Sequence, residues 1–247
     1  MDTDLISFAF PGVPRVRCVF TTRRGGVSRP PYDRANLSFD VGDDPAAVAA
    51  NRRAIMRSLG FSHWQECRQV HGTAMRLDPE PRGPDDRPAC EADGLATARP
   101  GQALVVKTAD CQPILLAHAS GAYVAALHAG WRGNVQDFPG VGVAAFCKRY
   151  GLDPADVHAV RGPSLGPTAA EFVHFEAEFG AGFREFHDPA ARTVDLWALT
   201  RSQLMAAGLP ESHIHGVDRC TATDRAFFSY RRDRDTGRQA GIIWMEE

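Results

Sequence analysis

The chain has 247 residues, 44% of them apolar, and a formal net charge of −2. Such a length fits one compact domain over residues 1–247 with a substantial core, and the balanced charge gives no global basic field of the kind that non-specific nucleic-acid binding requires. No segment approaches the ~18 apolar residues of a membrane span, and the acidic start MDTDLISFAFPG lacks the basic region of a secretory signal, so neither a nucleic acid nor a membrane is an expected partner and the cytoplasm is the expected compartment.

In chain order, RVRCVFTTR (15–23) alternates as a strand does and runs into the turn-rich GGVSRPPYDRANLS. A helix follows. Asp44 is placed to cap it, Pro45 takes the first helical position where its missing N–H costs nothing, and Gly60 closes it. Ala47, Val48, Asn51, Ile55 and Leu59 mark its buried stripe, with the polar Asn51 as the anomaly. Four prolines make DPEPRGPDDRPACEA (78–92) an irregular loop. ALVVKT, PILLAH and AYVAALH are three short apolar strands, the last two joined by Ala119-Ser120-Gly121, which is hairpin chemistry. A helix over GVAAFCKRYG, a strand VHAVRG entering the loop GPSLGP and a helix over 195–207 come next. A final hairpin of AFFSY and AGIIWM encloses RRDRDTGRQ. The pattern is that of a single α/β domain of α+β type, with mixed β-sheets flanked by helices.

The cysteines stand at 18, 67, 90, 111, 147 and 220 with no C-x-x-C pair, so free thiols are expected rather than a disulfide framework. One of them meets a histidine. In an antiparallel hairpin the numbers of facing residues have a constant sum, and a turn at 119–121 makes it roughly 239 to 241. Cys111 and His128 therefore fall opposite one another or within two residues of it, where a thiolate and an imidazole can share a metal or act as nucleophile and base. Pro113 favours a strand margin at Cys111. In HAGWRG (128–133) the turns at Gly130 and Gly133 allow close backbone approach to a ligand. Asp110, beside Cys111, is a candidate to orient an imidazole or accept a proton.

A further histidine lies in RQVHG (68–72). In order, spacing and residue type, RQVHG, TADCQPILL (108–116) and HAGWRG resemble the signature segments of the YfiH family, the laccase-domain family. TTRRGGVS, NLSFDVGDDPAAVAANR, EADGLAT, GPSLGP and FFSYRRDRDTGRQAGIIW look like further blocks of it, so the resemblance covers nearly the whole chain. It implies a YfiH-like cysteine hydrolase fold and a two-His, one-Cys metal site at His71, Cys111 and His128, usually filled by zinc. It also implies purine nucleoside phosphorylase activity on adenosine, inosine and S-methyl-5′-thioadenosine, with adenosine deaminase activity beside it; the small-molecule partners are then a purine nucleoside and phosphate. Two segments depart from the family pattern: NVQDFPG after HAGWRG, where a helix usually begins almost at once, and Ala170-Glu171-Phe172-Val173 after GPSLGP.

Three protein ligands with an open fourth position distinguish catalytic from structural zinc. Candidates for contact with an anionic or nucleoside substrate are Arg24, Arg52, Gln69 and Arg132, together with Arg231, Arg232, Arg234 and Arg238 of the loop RRDRDTGR; Arg132 is the favoured one, and Cys111, His128, Asp110 and Arg132 are the candidate catalytic set. Three alternatives stand beside this reading. One is a cysteine hydrolase with a Cys111–His128 dyad, for which the family resemblance implies editing of cell-wall precursors. Another is a copper polyphenol oxidase, for which the nine histidines offer only one H-x-H pair, His213 and His215. The last is a non-catalytic structural zinc protein, which needs a fourth protein ligand.

Overall fold

The computed structural model describes residues 4–88 and 90–247; Met1 to Thr3 of the acidic start and Ala89 of the proline-rich loop lie outside them. The strands are β1 (Leu5–Phe8), β2 (Val16–Thr21), β3 (His63–Gln65), β4 (Met75–Leu77), β5 (Gly94–Thr97), β6 (Gln102–Thr108) and β7 (Gln112–His118). They continue with β8 (Val124–Ala129), β9 (Val157–Arg161), β10 (His187–Asp188), β11 (Thr193–Val194), β12 (Ile214–Gly216) and β13 (Gln239–Met245). The α-helices are α1 (Pro45–Leu59), α2 (Trp131–Val135), α3 (Phe138–Tyr150), α4 (Phe175–Glu178), α5 (Leu196–Ala206) and α6 (Tyr230–Asp233).

Alternation along the strands builds four layers. In β6, Leu104 and Val106 turn to one side and Ala103 and Val105 to the other, all fully buried. The first pair joins Phe20 and Ile243 against Leu115, Ala117 and Ala126, closing two sheets face to face: a five-stranded sheet of order β1-β2-β13-β6-β3 and a six-stranded sheet of order β12-β9-β7-β8-β5-β4. The second pair packs with Ile242, Trp244 and Trp64 under Ile55 of α1. On the far side Ile114, Leu116, Ala125 and Leu127 pack against Phe138, Val143 and Phe146 of α3 and Leu204 of α5. Both sheets contain parallel and antiparallel pairs, and strands covered on both faces, such as β6, β8 and β13, are buried along their whole length.

The caps of α1 are those its sequence specifies: the Asp44 side chain accepts from Ala46 N, Pro45 opens the helix, and Gly60 at φ 75° ends it. Asn51 is fully employed. Its Nδ2 donates to Ser28 Oγ and to the carbonyls of Arg34 and Asn36, and its Oδ1 accepts from Val27 N, which ties the turn-rich 26–36 segment to the helix.

Three expectations fail. AFFSY forms no strand. Gln239 takes the place of a ladder partner, accepting from Phe228 N and donating to Phe228 O through its side chain, and the chain then enters α6 instead of a hairpin. NVQDFPG does not delay the helix after HAGWRG, because α2 starts at Trp131; the segment instead holds the break between α2 and α3 at Gln136 and Asp137 (φ 53°), with Pro139 in the first turn of α3. Gly133 is a helical residue of α2 and makes no turn. Leu5–Phe8, a strand with no anticipated counterpart, edges the five-stranded sheet by pairing with β2.

Candidate metal centre and active site

Strand register delivers the site. Gln112 pairs with Ala129 and Pro113 with His128, so Cys111, one residue before β7, faces Gly130, one residue after β8. Cys111 and His128 are thus diagonal neighbours on one side of the hairpin. Gly130 is required there: a Cβ would stand 2.8 Å from Cys111 Sγ and 3.1 Å from His71 Cδ2. Pro113 lies near the start of a central strand, and its carbonyl still accepts from Gly162 N.

His71 arrives on the loop between β3 and β4, in the left-handed region at φ 60°. Asp93, just before β5, holds that turn by accepting from the backbone N–H groups of Val70 (3.2 Å), His71 (3.0 Å) and Gly72 (2.7 Å). The same carboxylate lies 2.8 Å from His128 Nδ1, and Asp93 O accepts from His128 N at 2.7 Å. With Nδ1 committed to Asp93, the second ring nitrogen of His128 is the one free to act. The two imidazoles meet edge to face at 4.9 Å, and Cys111 Sγ is 3.7 Å from His71 Nε2.

Charges reinforce this arrangement. Burial opposes a Cys111 thiolate, but the charge and hydrogen bond of His128, together with His71, bring the thiol down to about 6. Burial likewise disfavours a charged His128, yet Cys111 and Asp93 push it up to about 9. Asp93 is held below the usual carboxylate range: desolvation works against its charge and is outweighed by the His128 bond and the backbone N–H groups.

The ligand atoms of His71, Cys111 and His128 all lie within 4.8 Å of one another, the one such group of three found among the described residues. Such a cluster of two ring nitrogens and one sulfur would hold a single ion, and a mixed nitrogen–sulfur donor set suits zinc. The residues fit a metal. A cavity of about 740 Å³ opens over them, with Trp131, Phe172, Tyr230, Leu165 and Leu196 in its wall.

The other anticipated residues divide. Arg132, Arg231, Arg234 and Arg238 line the cavity. Asp110 lines it too, but at φ 91° its carboxylate turns to Thr221 Oγ1 (2.7 Å) and Arg231 N (2.6 Å), so orienting the imidazole falls to Asp93 instead. Gln69 reaches the cavity wall with both ends of its amide engaged by the backbone of Lys107, which fixes the loop of His71 and leaves little for a substrate. Arg52 is not at the site. It is fully buried beneath α1, with Nη2 donating to both carboxylate oxygens of Glu66 and Nε to Leu37 O, because α1 turns it inward where only a carboxylate can balance it. Arg24 is exposed near Asp4, away from the cavity wall, and Arg232 is spent on the carbonyls of Thr221, Ala222 and Phe227. Sequence reasoning missed Asp93; its only local signal was an acidic residue opening the short strand of EADGLAT.

The family described as multi-copper polyphenol oxidoreductase laccase matches residues 17–246, and the chain belongs to it, the YfiH family. A purine nucleoside phosphorylase of Pseudomonas aeruginosa is 38% identical, over 96% of this chain and 97% of that one. The purine nucleoside phosphorylase YfiH of Escherichia coli is 36% identical, over 98% of each. Among solved structures, YlmD from Geobacillus stearothermophilus superposes with a TM-score of 0.86 at 33% identity, covering 96% of this chain and 94% of that one. A Neisseria meningitidis protein gives 0.85 at 31%, covering 98% and 99%. No helix is long and apolar enough to cross a membrane among the described residues.

Proposed function

We propose that the chain is a zinc-dependent, cytoplasmic purine nucleoside phosphorylase acting on adenosine, inosine and S-methyl-5′-thioadenosine, with accompanying adenosine deaminase activity. The observation that carries this reading is the triad of His71, Cys111 and His128 at the floor of a cavity whose wall combines aromatic rings with arginines. The similarity to relatives named as purine nucleoside phosphorylases supports it. His71, Cys111 and His128 would hold the ion, which supplies Lewis-acid polarisation of an oxygen when bound. Asp93 fixes the His128 ring and, through the turn at 70–72, the approach of His71. Half-exposed Tyr230 offers a ring face to a purine, and the cavity arginines offer charge to an oxyanion. In phosphorolysis a phosphate oxygen bonds to the ribose C1′ while the bond to the purine nitrogen breaks, and its electron pair leaves with the base, which takes up a proton. Deamination instead adds water at C6 of the purine and expels ammonia.

The test is product analysis with adenosine and inosine, with and without phosphate. Free base with ribose 1-phosphate, formed only when phosphate is present, is the expected result; equal base release without phosphate would point to hydrolysis.

A second reading has its own observation. Cys111, His128 and Asp93 line up as thiol, imidazole and carboxylate, the order of a cysteine hydrolase. It leaves His71 without a task. Alkylation of Cys111 before and after chelation separates the two: a ligand reacts only once metal is stripped, whereas a nucleophile reacts in the untreated protein and activity survives chelation.

A further inference from the structure

Six cations reach the cavity wall: Arg68, Lys107, Arg132, Arg231, Arg234 and Arg238. Their partners sort them. Arg68 pairs with Glu91, and Lys107 with Glu66 and Asp40, so the charge of each is already balanced. Arg231 gives Nη1 to the carbonyls of Ala169 and Glu171 and lies over Phe172. Arg132 and Arg234 are exposed, each over the ring of a neighbour, Trp131 and Tyr230, where solvent screens them.

Arg238 differs from these. It is half-buried, and its own loop holds it: Nη1 donates to the carbonyls of Thr236 (2.8 Å) and Gly237 (3.0 Å). Its backbone N donates to Asn36 Oδ1 and its carbonyl accepts from Leu37 N, so β13 begins from a fixed point. Gly237 allows this close fit, since a Cβ there would meet Phe228 at 2.7 Å and Asn36 at 2.9 Å. Among the described residues Arg238 has no carboxylate partner, and Nε and Nη2 have no acceptor. The cavity wall that Arg238 lines also holds His71, Cys111, His128 and Asp110, so the guanidinium and the triad face one space. A half-buried cation with a preset fork and unused donors is unfavourable until an oxyanion fills it.

We propose that Arg238, rather than Arg132, is the seat of inorganic phosphate: a bidentate guanidinium contact that sets the KM for phosphate and holds the attacking oxyanion next to the metal ligands. This rests on the phosphorolytic reading above. The wall then divides by task, with Arg238 holding the anion and the Tyr230 face left to the purine.

The experiment varies phosphate at saturating inosine for the zinc-loaded full chain and for Arg238→Gln, Arg238→Lys and Arg132→Gln, and measures binding of inorganic phosphate alone by calorimetry. Loss of a charge-assisted pair in Arg238→Gln is expected to raise the phosphate KM by about tenfold or more, with the inosine KM changed by less than about twofold. Arg238→Lys keeps the charge but not the fork and should recover only part; Arg132→Gln should raise the phosphate KM less than Arg238→Gln does. A phosphate KM in Arg238→Gln within about twofold of the wild type, or a larger effect of Arg132→Gln, overturns the assignment. If Arg238→Gln does not fold, Arg238→Lys decides, and an unchanged phosphate KM there overturns it as well. If the wild type releases no base at all, the phosphorolytic reading fails, while calorimetry still decides the seat: binding lost in Arg238→Gln supports it and equal binding refutes it.

Discussion

Two groups of histidines lie at opposite ends of the same sheet, and their chemistry is opposed. His128 faces Pro113 at the start of β7, and His158 lies beside Ala117 near its end. His128 is given a carboxylate and a thiol, and its affinity for a proton rises. His158 is given other imidazoles: it stacks on His213 at 3.8 Å and lies parallel to His215 at 6.4 Å. His158 Nδ1, His213 Nδ1 and His215 Nε2 are buried with no hydrogen-bond partner among the described residues. Burial, then the neighbouring His213 and His215, push His158 down to about 4, and burial lowers His215 as well. The partner delivered by the next strand or loop, more than depth in the sheet, decides whether an imidazole here is poised for a positive ion or kept neutral. The H-x-H pair of the sequence, His213 and His215, therefore belongs to the packing of the sheet end and lies apart from the triad.

The largest effect should come from breaking the triad. Cys111→Ala or His71→Ala leaves two donors, and metal analysis should find zinc lost with nucleoside cleavage falling to background. Full zinc retention in His71→Ala would remove that residue from the site. Asp93→Asn comes next, since it keeps the shape of the partner but removes the charge that His128 and the three N–H groups share. A loss of about 10–100-fold in zinc affinity or activity is expected, read by competition with a chelator, and an unchanged affinity would contradict the role given to Asp93.

Smallest is the effect at the other end. The folded pKa of His158 lies below its unfolded value of about 6.5, so its contribution is fully present above that pH and is lost as pH falls toward about 4. The groups that face it bear on this: His213, His215 and His118 oppose the proton and Asp156 favours it. Denaturant unfolding across that window should show stability falling by about 2 kcal/mol from this residue. His158→Phe, which keeps the stack on His213, should flatten that slope, and an identical acid limb in the variant would refute the account.

Much of this was legible in the residues. Asp44, Pro45 and Gly60 fixed α1 because capping acts within one turn, and the hairpin sum brought Cys111 to His128 because pairing across a tight turn is local. Family blocks supplied His71. What escaped depends on pairings between distant segments. Asp93 stands 35 residues from His128, and the two meet only because β5 pairs with β8. Arg52 looked like a free cation because nothing in α1 reveals that Glu66 lies inside. AFFSY has the composition of a strand, yet the side chain of Gln239 supplies the hydrogen bonds that a strand partner would have given.

The carboxylate of Asp93 also sets the size of the smallest transplantable unit. Grafting a nitrogen–sulfur centre onto another β-sandwich is commonly framed as placing its donor side chains. Here one acidic group serves both the imidazole on the sheet and the turn that presents the other imidazole. A graft of His71, Cys111 and His128 alone would leave His71 on an unanchored loop and His128 free to choose either tautomer. The portable module is four side chains plus the backbone of residues 70–72, with a glycine at the position of Gly130 to leave room for them.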